Sequence, residues 1–376
     1  MIRRRRSLGP VALVFLVFVA WSAPAAAAPE GQMTWAVHTT LVPGWFDPAD
    51  MIIATPVIVL YAFHDAMVKR MPGNSMAPSL AESWSASPDG LVYEFVLRKG
   101  TRFHNGEPVT ADDVRFSFER YRGIFARGLK DRVAGIEIAD GGRIRFRLKQ
   151  PWPDFMTMYT IASGASWVVP RKYVERVGDE GFRKAPIGAG PYRFVSFTPG
   201  VELVVEAFEG YWRKTPSVKR LVFRTISDEA TRLAALKRGE VDVVYLLGGE
   251  LATELKRTPG LTLKAVFPST HWLSLPDQFD PKSPWHDRRV RLAANLAIDR
   301  PALNEAATLG LSKITWSIVQ STFEFFWQPP AYPYDPARAR QLLAEAGYPN
   351  GSTRASSSPT SRSRAGARSW STTSRP

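Results

Sequence analysis

The stretch Leu80–Arg120, LAESWSASPDGLVYEFVLRKGTRFHNGEPVTADDVRFSFER, decides how this chain is read. Ser87-Pro88-Asp89-Gly90 is turn chemistry: proline fixes φ, aspartate bonds its own backbone, and glycine accepts a positive φ. From Leu91 to Arg98 the residues alternate, with Tyr93, Phe95 and Leu97 on one face against Glu94 and Arg98 on the other. That alternation predicts a strand. Asn105-Gly106 turns the chain again, and Thr110 then caps a predicted helix. Asp112 and Asp113 fill its first turn, where acids suit the positive end of the helix dipole. Val114, Phe118 and Tyr121 supply its buried stripe.

These features together specify an α+β segment and no catalytic chemistry. Their wording, from the tryptophan before the turn through FHNGEP to TADDVRFSFER, closely resembles the signature of the family 5 extracellular solute-binding proteins. Those proteins are the peptide, nickel and oligosaccharide receptors of bacterial ABC importers. The resemblance implies an α/β, type II periplasmic-binding-protein fold of two lobes. It also implies an extra α+β subdomain in the first lobe.

Other phrases carry the same resemblance. Asp47-Pro48-Ala49 follows the predicted first strand, Met33 to Val37, as a similar step does beside the family's ligand cleft. Ile187-Gly188-Ala189-Gly190-Pro191-Tyr192-Arg193-Phe194 is similar to the family's GTGPYRF element, which marks the chain's return to the first lobe. A phosphate cradle would need a strand before these glycines and a helix after them, whereas alternating strand follows, at 193–197 and 201–207. The predicted helix 227–239 and strand 241–246 resemble the family's AL..GE.D step and lead into Leu247-Gly248-Gly249. Strand character at 271–275 is expected to open the second lobe. Helices capped by Asp287, Asp299 and Asp335 should follow.

On this reading residues 1–28 are a signal peptide, 29–60 and 187–270 the first lobe, and 61–186 its inserted subdomain. Residues 271–350 form a partial second lobe. The address rests on Arg3–Arg6, an apolar run from Leu8 to Trp21, and small residues around Ala23-Pro24-Ala25. Fourteen helical residues span roughly 21 Å against a hydrocarbon core of ~30 Å, so export is favoured over a membrane span. Periplasmic localisation follows.

From Gly351 onward Ser, Thr and Arg make up 18 of 26 residues and acids are absent, so this tail cannot offset its ordering entropy. The reading treats 351–376 as an aberrant, disordered tail, such as a frameshift produces, with the second lobe left incomplete. A functional basic tail is the rival.

Composition removes several classes. The formal charge of +14 owes nine of its charges to Arg3–Arg6 and to Arg354, Arg362, Arg364, Arg368 and Arg375. What remains is a mild excess over a long chain, a solvated surface with no nucleic-acid partner. With no cysteine, disulfides, thiolate metal sites, cysteine nucleophiles and lipoprotein anchors are excluded. His38, His64, His104, His271 and His286 show no metal-ligand spacing, and no cofactor is expected. Neither a nucleophile elbow nor a P-loop appears, so no enzyme is expected, with a periplasmic hydrolase or a non-functional truncated product as the alternatives.

The expected function is capture of a peptide or similar small solute by a monomer, in a cleft between lobes, for delivery to an ABC permease. Thr40 and Trp45 of the first lobe, the backbone at Gly248, and Trp272 of the second lobe are the candidate ligand contacts. For Trp45 and Phe46, plain core packing is the favoured reading.

Overall fold

The computed structural model describes residues 28–51, 56–139, 142–161, 163–266, 270–275, 277–321, 323 and 326–351. Nearly all of the expected signal peptide, the Asp140-Gly141 step and almost all of the tail lie outside them. In chain order come β1 (Glu30–Val37), α1 (Val57–Phe63), β2 (Val68–Met71), β3 (Asn74–Pro78), β4 (Ala81–Ala86) and β5 (Val92–Leu97). Next are α2 (Ala111–Arg120), α3 (Ala126–Arg132), β6 (Val133–Ala139), β7 (Arg143–Leu148), α4 (Phe155–Met158) and α5 (Arg171–Lys184). The chain continues through β8 (Tyr192–Thr198), β9 (Glu202–Ala207), β10 (Val218–Thr225), α6 (Glu229–Lys237) and β11 (Val243–Val244). It closes with α7 (Gly249–Arg257), α8 (Arg288–Leu296), α9 (Arg300–Thr308) and α10 (Pro336–Glu345).

Two compact units divide the chain, one of residues 1–228 with 238–245, the other of 229–237 with 246–376. The described residues from Leu246 onward fall in the second unit, together with α6.

The first unit contains a four-stranded sheet, β4-β5-β7-β6, a five-stranded sheet, β11-β1-β10-β9-β8, and the β2–β3 hairpin. The four-stranded sheet is antiparallel throughout and comes from the stretch that opened the reading, with β5 one residue shorter at each end than expected. Tyr93, Phe95 and Leu97 point into a core that also holds Phe118, Phe146, Phe155 and Tyr159. Fully burying an aromatic or large aliphatic side chain stabilises by about 1.5–3 kcal/mol. α2 packs its Val114–Phe118 stripe there, and its start is a complete capping box. Thr110 Oγ1 accepts from the Asp113 amide (3.3 Å) while Asp113 Oδ2 accepts from the Thr110 amide (2.8 Å).

The five-stranded sheet is mixed. β1 runs parallel to β10 (Val37 opposite Thr225) and to β11 (Ala36 opposite Val244), while β10, β9 and β8 form an antiparallel meander. Phe46, Phe63, Leu203, Val205 and Phe223 fill its core. Between the two sheets, Gly188 and Gly190 lie against the backbone at the end of α1. A Cβ on Gly188 would fall 2.0 Å from the Phe63 carbonyl oxygen, and one on Gly190 2.5 Å from the Phe63 carbonyl carbon. Only glycine allows this approach, which lets the Gly190 amide donate to the Phe63 carbonyl (2.9 Å).

Ion pairing secures the loop after β1. Arg120, at the end of α2, donates to both oxygens of Asp47 (2.7 and 2.5 Å) and to Asp179 of α5 (2.7 Å). Burial disfavours the guanidinium charge, but the Asp47 and Asp179 carboxylates outweigh it and hold its pKa above the ordinary value. A second node is Asp65, wholly buried, which accepts from Lys69 Nζ (2.6 Å) and Trp212 Nε1 (2.7 Å).

In the second unit α8 packs on α10 through Ala293, Leu296, Ala339 and Leu342. Asp287, Asp299 and Asp335 cap α8, α9 and α10 by accepting from the amides of Arg289, Ala302 and Arg338. Two expectations are corrected. Residues 271–275 are not a strand: they pair with no neighbour among the described residues, and an apolar run without a ladder partner leaves the backbone irregular. The strand expected at 241–246 is only the two residues Val243–Val244.

Asp47→Ala should strand the buried Arg120 charge and cost about 3–5 kcal/mol, since one partner of a buried pair is removed. Urea unfolding with an unchanged m-value would measure it, and a loss under 1 kcal/mol would contradict this role for the pair.

Candidate functional site

Parallel strands point their carboxyl ends to one edge of a sheet, and ligands of open α/β sheets bind outside those ends. Here β10, β1 and β11 end together in the first unit, and the residues that follow them form a rim: Ile226 after β10, His38 after β1 and Tyr245 after β11. The Ile226 amide donates to the Val37 carbonyl (2.9 Å), so the ladder runs right up to that rim. At the other end of β11, Asp242 and Thr34 exchange two bonds. The Thr34 amide donates to Asp242 Oδ2 (2.7 Å) and the Asp242 amide to the Thr34 carbonyl (2.9 Å). These two bonds set the short β11 in register despite its length.

His38 Nδ1 and the Tyr245 hydroxyl are hydrogen-bonded at 2.8 Å, their rings edge to face with centroids 5.2 Å apart. Both side chains are half-buried. An imidazole and a phenol in contact place two polar side chains at this edge, with exposed Thr40 two residues beyond His38 on the same connection. The arrangement suits recognition of a polar solute. Sequence reasoning passed over both residues, which lie 207 positions apart. The available signals were that His38 directly follows the predicted strand 33–37 and that Tyr245 lies near the end of the predicted strand 241–246.

Of the four anticipated contacts, Thr40 is exposed and stands two residues beyond His38 on the connection to Trp45. Trp45 is half-buried and packs on the core of the five-stranded sheet, in a short 3-10 turn spanning Pro43–Phe46. Phe46 is wholly buried, with Phe63 and Phe197 edge-on to it. Gly248 caps α7 in the second unit. Its amide donates to Glu229 Oε2 (2.9 Å) and its carbonyl accepts from the Ala252 amide (2.8 Å), so its backbone groups already serve the helix start. Trp272, also of the second unit, is 65% exposed on irregular backbone. Thr40 and Trp45 therefore belong to one unit, Gly248 and Trp272 to the other.

The second unit also carries an open hollow of about 470 Å³ lined by Glu250, Thr253, Glu254, Arg257, Thr258 and Leu309, none of them an anticipated contact. Among the described residues no group of three or more His, Cys, Asp or Glu could hold a metal ion. No helix among them is long and apolar enough to cross a membrane.

The mixed sheet with parallel central strands is the architecture of the periplasmic binding proteins. The ABC transporter-associated periplasmic binding protein DppA of Helicobacter pylori, solved with the peptide STSA, superposes with a TM-score of 0.71 at 27% identity, over 85% of this chain and 67% of that one. The binding protein MoaA of Agrobacterium tumefaciens R10, solved with mannopinic acid, gives 0.69 at 28% identity, over 86% and 66%.

The model of the bacterial extracellular solute-binding proteins, family 5 middle, matches residues 75–371, and the chain belongs to that family. The glutathione-binding protein GsiB of Escherichia coli K12 is 30% identical over 311 residues, 81% of this chain. The chain spans about 60% of the length of the curated relatives it matches.

The two tryptophans should separate cleanly under mutation. Trp45→Ala should destabilise the first unit by about 3 kcal/mol, as for a large aromatic taken from a core, whereas Trp272→Ala should stay within about 0.5 kcal/mol. Chemical denaturation of the two variants decides this, and equal losses would refute the assignment.

Proposed function

We propose that this protein captures a peptide or similar small polar solute outside the cytoplasmic membrane and delivers it to an ABC permease. One observation carries the proposal: in a member of a solute-binding family, three parallel strands end on one edge at His38, Ile226 and Tyr245 beside exposed Thr40. That edge is where this sheet type presents ligand-recognising groups. A peptide-bound relative and a relative named for glutathione support a peptide or peptide-like substrate class.

In this reading the protein is a monomer that binds its ligand without transforming it, and nucleic acid is no partner. The arginine-led, apolar N-terminus is a Sec-type export signal, and the destination is the periplasm. Residues 61–186 serve as an inserted module of the first lobe, carrying the four-stranded sheet. Thr40 contributes its hydroxyl, Trp45 the free edge of its half-buried ring, and Trp272 an exposed aromatic surface. Gly248, in the second unit, serves as the start of α7 rather than as a donor to ligand.

A thermal-shift screen over dipeptides, oligopeptides and glutathione tests the proposal. A ligand at a hundred times its Kd should add about 2.7 kcal/mol and raise Tm by several degrees. A shift with opines or metal chelates and none with peptides would reassign the substrate class, and turnover of a peptide would overturn the binding-protein reading.

A further inference from the structure

His64 and His104 are two imidazoles that the ligand-binding reading does not use, and they flank the same glycine segment. His64, at the end of α1, is wholly buried. Its Nε2 is 2.9 Å from the Phe46 carbonyl, which can only accept, so Nε2 carries the proton. Nδ1 is then a bare lone pair with no hydrogen-bond partner. A Cβ on Gly188 would come within 2.5 Å of it, so the backbone of Gly188 closes that side.

His104, from the FHNGEP loop, holds the same tautomer. Nε2 donates to the Gly190 carbonyl (3.0 Å), and Nδ1 accepts from the Gly188 amide (3.2 Å). Its own amide donates to the Gly188 carbonyl (2.9 Å). The segment Gly188–Gly190 is therefore held by three hydrogen bonds to His104 and closed on its other side by the His64 ring, and it leads directly into β8.

Neither ring has room for a second proton. On His104 it would set an N–H against the Gly188 N–H that now donates there. On His64 it would leave a buried N–H with no acceptor. Neighbouring charges agree. Lys69 and Arg120 face His64, while Arg193 and His64 oppose a charge on His104, with Asp65 alone favouring it. Burial is the leading cause in both cases, and each pKa is pushed down from 6.5 to about 4.

We propose that the His64–Gly188–His104 seam is an acid-sensitive fastening. Below neutral pH it releases the Gly188–Gly190 segment from the end of α1 and from the FHNGEP loop, ahead of global unfolding. The direction follows from proton counting. Once released, an imidazole titrates near 6.5 and binds a proton that the closed form excludes until about 4. The open form therefore binds more protons between those values, and the closed form loses ground as pH falls through that window. From pH 7.5 to 5 the open population should rise roughly 25-fold for each imidazole released.

Amide hydrogen exchange on the full chain at pH 7.5 and 5.0, corrected for intrinsic rates, tests this. Peptides covering 62–64 and 187–190 should lose protection at pH 5.0 by at least that factor, while β9 and β10 keep theirs. In the double variant His64→Gln, His104→Gln, whose side-chain amides can donate to the same carbonyls without titrating, this loss should vanish. No loss in the natural protein, or an equal loss in the double variant, overturns the proposal. Should the variant not fold, NMR titration of the natural protein decides: midpoints near 4 for both rings support the seam, and midpoints above 6 refute it.

Discussion

A buried arginine shared by two carboxylates holds the loop beside the candidate edge of the first unit in place. Arg120 leaves α2, crosses to the loop after β1, and meets Asp47 with both of its terminal nitrogens while also reaching Asp179. Because Asp47 also accepts from the Ala49 amide, one carboxylate fixes both the turn and its distance from α2. The loop so fixed carries Thr40, Trp45 and Phe46 away from the end of β1. A rim built on a mobile loop would lose precision, and desolvated charge is an expensive but directional way to prevent that. Arg122 and Arg183 extend the network to Asp50, one turn further along.

The seam at Gly188 and Gly190 solves a different problem. Two sheets with separate cores must be joined without leaving buried backbone unpaired. Removing both side chains brings the strand leading into β8 close enough for its amides and carbonyls to reach Phe63 and His104 directly. The histidines then act as adaptors, each presenting one donor nitrogen to a carbonyl. The joint is tight at neutral pH because both rings are neutral.

Much of this was legible in the sequence, and the reasons differ by element. The stretch around β5 and α2 was readable because local signals agreed: turn residues, alternation and a capping box all specified the same arrangement. The caps at Asp287, Asp299 and Asp335 were readable for the same reason. The His38–Tyr245 contact was not, because it arises from parallel pairing of β1 with β11 and leaves no local trace. Residues 271–275 misled because an apolar run states a preference, while a strand also needs a partner. Gly248 was named for its backbone, correctly located in a loop, but that backbone is occupied by the start of α7. The kink in α5 at Gly178 (φ 70°) also escaped notice, since one glycine in a polar helix gives little warning.

The register of β1 has a bearing on how the molecule comes into being. Glu30 lies opposite Val218, and Trp35 opposite Val243, so the first strand finds its neighbours only after most of the chain exists. Contacts of such high sequence separation slow the approach to the native state. Under the proposed export, the chain would gain from that delay: its leading end has nothing to close upon until the trailing segments emerge.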